Sequence, residues 1–134
     1  MAVQTPKNSR VLIVEDEYFL AADLEKALHA EGAEALGPID ELTAALRVAA
    51  EGDLDAAVLD INLRDETVYP VADALRTRGI PFVFATGYGA DVVPQRFCDV
   101  ACFEKPYDAV GVARTVLQLC EPSADSSSRT AETE

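Results

Sequence analysis

Ala56-Ala57-Val58-Leu59-Asp60-Ile61-Asn62-Leu63 is a near-continuous apolar run that sets a carboxylate near its end and then breaks into Arg64-Asp65-Glu66. An apolar run of this length, bounded by polar residues, has the pattern of a strand buried on both faces in a parallel sheet. Asp60 then stands at the carboxyl end of that strand, the edge at which open α/β sheets form their ligand crevices. A lone Asp there also fits an ordinary turn residue or N-cap. Its meaning therefore depends on what the neighbouring strands bring to the same edge.

Outward from this strand, Arg10-Val11-Leu12-Ile13-Val14 is a β-branched apolar run that stops at Glu15-Asp16-Glu17. Leu20, Leu24, Ala27 and Leu28 recur at helical spacing up to Gly32, which predicts an amphipathic helix over 18–31. His29, in its last turn, reads as a solvated cation near a helix C-terminus. A short second strand over 33–36 should end at Gly37-Pro38, and Asp40 should cap a helix to about residue 50. Pro70 suits the first turn of a helix over 69–77 that exits at Gly79. A fourth buried strand over 80–85 then delivers Thr86. Residues 87–94 hold two glycines and a proline, so a helix there should be short or labile. A fifth strand over 100–103 leads to Glu104-Lys105-Pro106, and a last helix over 108–119 uses Val110, Val112, Ala113, Val116 and Leu117. Strands and helices alternate, which predicts a (βα)5 fold: a doubly wound, parallel five-stranded sheet in the flavodoxin-like order 2-1-3-4-5.

Composition bounds the function. The chain has 134 residues, 49% of them hydrophobic, which fits one domain with its own core. Residues 1–8 read as a flexible lead, 9–120 as the domain and 121–134 as a disordered polar tail. The mostly polar residues after Leu119 are not expected to fold into an output domain. With 24 acidic against 11 basic residues and a net charge of -13, direct nucleic acid binding is not expected. The apolar runs are too short to span a bilayer and no signal peptide is recognisable, so a cytoplasmic protein without membrane contact is expected. Cys98, Cys102 and Cys120, with one His, fit reduced thiols better than a disulfide framework or a zinc site.

Four strands of this arrangement deliver polar groups to one rim: Glu15 and Asp16, Asp60, Thr86 and Lys105. Crowded carboxylates repel one another unless a cation sits among them, and Mg²⁺ prefers such hard oxygen ligands. A carboxylate nucleophile with a metal, a lysine and a hydroxyl suits formation of an aspartyl phosphate.

At these residues the sequence resembles the receiver domain of two-component response regulators, the CheY-like family, over about residues 9 to 120. Val14-Glu15-Asp16-Glu17 is similar to its acidic pair, Leu59-Asp60-Ile61-Asn62-Leu63 to its phosphoacceptor strand, Ala85-Thr86-Gly87 to its switch hydroxyl and Lys105-Pro106 to its basic end. The resemblance implies phosphorylation of Asp60. It implies Mg²⁺ held by Asp16, Asp60 and the backbone carbonyl of Asn62, with Glu15 acting through water. Thr86 and Lys105 would bind the phosphoryl oxygens, and the bond before Pro106 would be cis. Pro81-Phe82-Val83-Phe84-Ala85-Thr86-Gly87-Tyr88 further resembles the signature of the FATGUY receivers. These are often stand-alone proteins that work with HWE or HisKA2 type histidine kinases, some in general stress signalling.

The sequence departs from the common receiver pattern twice. Cys102 stands where most receivers carry Tyr or Phe three residues before the lysine, and strand alternation puts Phe103 on the opposite face. The loop after Asp60 also lacks the usual Pro-Gly. Tyr88, Val92, Val93, Cys102 and Phe103 are the expected signalling residues, with the 87–94 segment replacing the aromatic switch.

The resulting expectation is a non-enzymatic, single-domain response regulator. It takes a phosphoryl group from a histidine kinase or histidine phosphotransferase and contacts a downstream protein, or serves as a phosphate sink. The alternative is a docking module that works without phosphorylation. An aspartyl-phosphate phosphohydrolase would want a second Asp where Asn62 stands, and a flavin phosphate would be repelled by Glu15-Asp16-Glu17.

Overall fold

The structure is a computed structural model that describes residues 9–87 and 93–120. In chain order the elements are β1 (Arg10–Val14), α1 (Tyr18–Ala30), β2 (Glu34–Ile39), α2 (Leu42–Glu51), β3 (Ala56–Asp60), β4 (Asn62–Leu63), β5 (Glu66–Thr67), α3 (Tyr69–Thr77), β6 (Phe82–Thr86), a 3-10 turn (Gln95–Phe97), β7 (Cys102–Glu104) and α4 (Ala109–Leu119). The main sheet is parallel and five-stranded in the order β2-β1-β3-β6-β7. This is the expected 2-1-3-4-5 order, with β6 and β7 as the fourth and fifth core strands.

The alternation of a strand explains the two layers. Leu12 and Val14 of β1, Ala57 and Leu59 of β3, and Phe82 and Phe84 of β6 pack on one side with residues of α2 and α3 and with Phe97. Val11 and Ile13, Ala56 and Val58, and Val83 pack on the other side with α1 and α4. Both faces being covered, the central strands have no solvent side, and β3 and β6 are buried at every residue.

The edges and crossovers depart from expectation. β2 does not stop at Gly37 but runs on to Ile39, with an irregular register against β1 between Leu12 and Val14. As an edge strand it tolerates the missing N–H of Pro38. Gly37, at φ +109°, is required there: a Cβ would lie 2.6 Å from the Ile13 carbonyl oxygen. Asp40 does not cap α2; Glu41 occupies that place and makes no side-chain cap, while Asp40 pairs with Arg64. The loop after Asp60 forms the β4–β5 hairpin, in which Arg64 has a positive φ of 57°. The expected short helix over 87–94 falls largely on residues 88–92, outside the described residues; the described part of the fourth crossover carries the Gln95–Phe97 turn. The fifth strand starts at Cys102, not at residue 100, because the Val100 N–H still closes the preceding turn on Phe97. Val110 is exposed, so the inward face of α4 rests on Val112, Ala113 and Val116.

Candidate functional site

The loops at the carboxyl edge bring the charged residues together. Glu15 follows β1, where its N–H donates to the Ile39 carbonyl at 3.0 Å. Asp60 is the last residue of β3, and the Ile61 N–H is held by the Ala85 carbonyl at 2.9 Å. Thr86 ends β6 in a buried position, and its carbonyl accepts the Lys105 N–H at 2.8 Å, so β6 sets the path of the chain through Lys105. The Lys105–Pro106 bond is cis.

Glu15, Asp16 and Asp60 each offer an oxygen, and the three atoms lie within 4.8 Å of one another. Glu15 and Asp60 are each only 3% exposed. The Lys105 ammonium donates to Glu15 Oε2 at 2.9 Å, Glu17 Oε2 at 2.9 Å and Asp60 Oδ2 at 3.0 Å. The backbone supplies further donors: Glu17 N–H to Glu15 Oε2 at 3.0 Å, Asn62 N–H to Asp60 Oδ1 at 3.2 Å and Arg64 N–H to Asp16 Oδ2 at 3.0 Å.

Burial, followed by the charge of Glu15, pushes the Asp60 carboxyl up to about 8, although Lys105 pulls it the other way. Burial also opposes the charge of Lys105, but its bonds to Glu15, Glu17 and Asp60 outweigh burial and hold the ammonium above its ordinary range. One lysine is thus shared among three carboxylates. Burial and crowding that keep a proton on Asp60 in the metal-free cluster are what a hard divalent cation would relieve, and Glu15, Asp16 and Asp60 could hold one.

An open crevice lined by Asp16, Glu17, Asp60, Asn62, Arg64, Gly87 and Lys105 gives access to the cluster. Of the expected signalling residues, Tyr88 and Val92 lie outside the described residues. Val93 and Cys102 are partly buried against the α2–α3 side, and Phe103 against the α1–α4 side, so these three do not form one face. Sequence reasoning missed Glu17 as a partner of Lys105. It also missed Arg64, whose guanidinium reaches the Asp40 carboxylate and whose Nε donates to the Asp40 carbonyl at 2.9 Å. The signal for Glu17 was its place beside the acidic pair; no pattern marked Arg64.

A doubly wound sheet with carboxylates, a buried threonine and a lysine around a crevice at its carboxyl edge defines an open α/β protein with its polar groups at the usual ligand edge. Comparison with known structures narrows the class. The solution structure of SdrG from Sphingomonas melonis Fr1 superposes with a TM-score of 0.72 at 43% identity, covering 84% of this chain and 96% of that one. A CheY-like response regulator receiver domain from Methylobacillus flagellatus superposes with a TM-score of 0.69 at 26% identity, over 86% of this chain and 100% of that one. The phyllosphere-induced regulator PhyR of Methylorubrum extorquens is 29% identical over 119 residues, 82% of this chain. This chain spans 43% of the length of that relative. No protein-family model matches. The chain belongs to the CheY-like response regulator receiver domains. No helix among the described residues is long and apolar enough to cross a membrane.

Proposed function

We propose that the protein accepts a phosphoryl group on Asp60 from a histidine kinase or histidine phosphotransferase, and signals through phosphorylation-dependent contact with another protein or drains phosphate from the relay. The observation that carries this reading is the convergence of Glu15, Asp16 and Asp60 with the Lys105 ammonium, 3.0 Å from Asp60 Oδ2. In the transfer, an Asp60 carboxylate oxygen attacks phosphorus in line. The O–P bond forms as the P–N bond of the donor phosphohistidine breaks, and the departing imidazole takes up a proton. Lys105 then exchanges a carboxylate contact for a phosphoryl oxygen, and the Thr86 hydroxyl binds another.

The donor set fits Mg²⁺, with Asp16, Asp60 and the Asn62 carbonyl as ligands and Glu15 acting through water. When bound, the ion neutralises charge on the phosphoryl oxygens. A net charge of -13 supports protein over nucleic acid as the downstream partner. The FATGUY-like stretch and the similarity to SdrG and PhyR support a kinase of the HWE or HisKA2 type and a place in general stress signalling.

Incubating such a kinase, autophosphorylated with labelled ATP, with this protein and Mg²⁺ should move the label onto Asp60, and Asp60→Asn should receive none. Label that stays on the kinase, or reaches the Asn variant equally, contradicts the assignment.

A further inference from the structure

Arg64 stands where a side chain is unfavourable. It is the first of the two residues joining β4 to β5, and its φ of 57° lies in the left-handed region, where a two-residue hairpin turn favours glycine. Among the described residues no other non-glycine residue has a positive φ. The side chain accounts for the choice. Its Nε donates to the Asp40 carbonyl at 2.9 Å and the same guanidinium pairs with the Asp40 carboxylate, a two-point hold that glycine cannot make.

That hold spans the loop carrying Asp16. β1 lies between β2 and β3 in the sheet, and Asp16 follows β1, Asp40 follows β2 and Arg64 belongs to the hairpin after β3. From this position the Arg64 N–H donates to Asp16 Oδ2 at 3.0 Å. The other two carboxylates of the cluster are held differently: Glu15 and Asp60 are buried and bonded to Lys105. Asp16 is exposed, and among the described residues the Arg64 N–H is its hydrogen-bond partner. The hairpin that Arg64 closes also begins at Asn62, whose carbonyl is another ligand proposed for the ion.

We infer that Arg64 is a positioning residue for divalent-cation binding: its side chain, anchored on Asp40, holds the left-handed backbone that aims its N–H at Asp16. The Asp16 carboxylate is thereby kept beside those of Glu15 and Asp60 before an ion arrives. A carboxylate that accepts one N–H keeps lone pairs for a cation, and fixing it in advance removes part of the ordering cost of binding. Arg64 touches no ion; it acts through Asp16. The inference rests on the Mg²⁺ role proposed for the cluster.

Arg64→Ala and Asp40→Ala separate positioning from charge. Arg64 lines the same crevice as Asp16 and Asp60, so its removal takes a cation away from a cation site and by charge alone should tighten Mg²⁺ binding. Removing Asp40 takes away an anion and by charge alone should weaken it. Positioning requires both variants to bind more weakly. Calorimetric titration of Mg²⁺ into the full chain should show affinity falling about three- to tenfold in each, less than the roughly ten- to hundredfold typical for partners of metal ligands because this hold is exposed. The residue-64 amide proton, shifted downfield in the wild type by its carboxylate acceptor, should move upfield in both metal-free variants, while their melting temperatures change little. Equal or tighter Mg²⁺ binding by either variant overturns the inference, as does a residue-64 amide that keeps its downfield shift in both. If wild type itself binds no Mg²⁺, the metal reading fails, and this inference falls with it.

Discussion

Asp60→Asn should make the metal-free protein more stable at pH 8, by about 1–3 kcal/mol, the scale of relieving a poorly compensated buried charge. The gain follows from a carboxyl that burial and Glu15 raise from 3.8 to about 8. Between these values the native state keeps a proton that the unfolded chain releases. Asp60 therefore costs progressively more stability as pH rises from about 4, and the cost is complete above about 8. The advantage of the Asn variant should accordingly be small at pH 5 and grow toward pH 8. Lys105, which already offsets part of the charge, limits its size. Urea unfolding in the presence of a chelator at both pH values measures it. Mg²⁺ should stabilise the wild type at pH 8 and stabilise the variant much less. A variant less stable than wild type at pH 8 would show that Lys105 fully compensates the buried charge.

Phe97→Ala should cost about 3–5 kcal/mol, the usual range for truncating a fully buried Phe. Its ring is completely buried, stacked on Tyr69 at 5.7 Å between centroids, with the Phe84 and Phe82 edges at 5.5 and 6.0 Å. The guanidinium carbons of Arg96 and Arg76 lie 4.6 and 5.2 Å from its centroid. Phe97 is the one fully buried side chain of its 3-10 turn, whose flanks are tied to α3 by Arg76–Asp99 and Arg96–Asp73 pairs, so the truncation should loosen the turn's packing while these ion pairs still hold its outer side. Phe19→Ala is the control: that ring is 82% exposed, and its loss should change the unfolding midpoint little. A Phe97→Ala cost below about 1 kcal/mol would mean that the aromatic cluster closes over the gap.

These residues also show what the sequence makes legible. Continuous apolar runs identify β1, β3 and β6 because both their faces are covered; helical spacing identifies α1 and α4 because one face of each is covered, and Pro70 and Gly79 mark the ends of α3. The edge strands are less legible. β2 carries a Gly-Pro that reads as a stop, yet an edge strand can continue through it; β7 is short and begins where the preceding turn releases the chain. The burial of Phe97 is not legible, because a lone aromatic in a segment without periodicity carries no sign of it. Strand ends place Glu15, Asp16, Asp60, Thr86 and Lys105 on one rim by topology alone. The pairing of Lys105 with Glu17, of Arg64 with Asp40 and the isolation of the Tyr107 hydroxyl depend on loop paths and rotamers, which no periodicity encodes.

The phosphoacceptor assignment is tested most directly by intact mass after incubation with acetyl phosphate and Mg²⁺, on wild type and on Asp60→Asn. The account predicts a gain of about 80 Da, one phosphoryl group, in wild type alone, lost when Mg²⁺ is chelated. No gain in wild type with Mg²⁺ binding separately established, or an equal gain in Asp60→Asn, would contradict it.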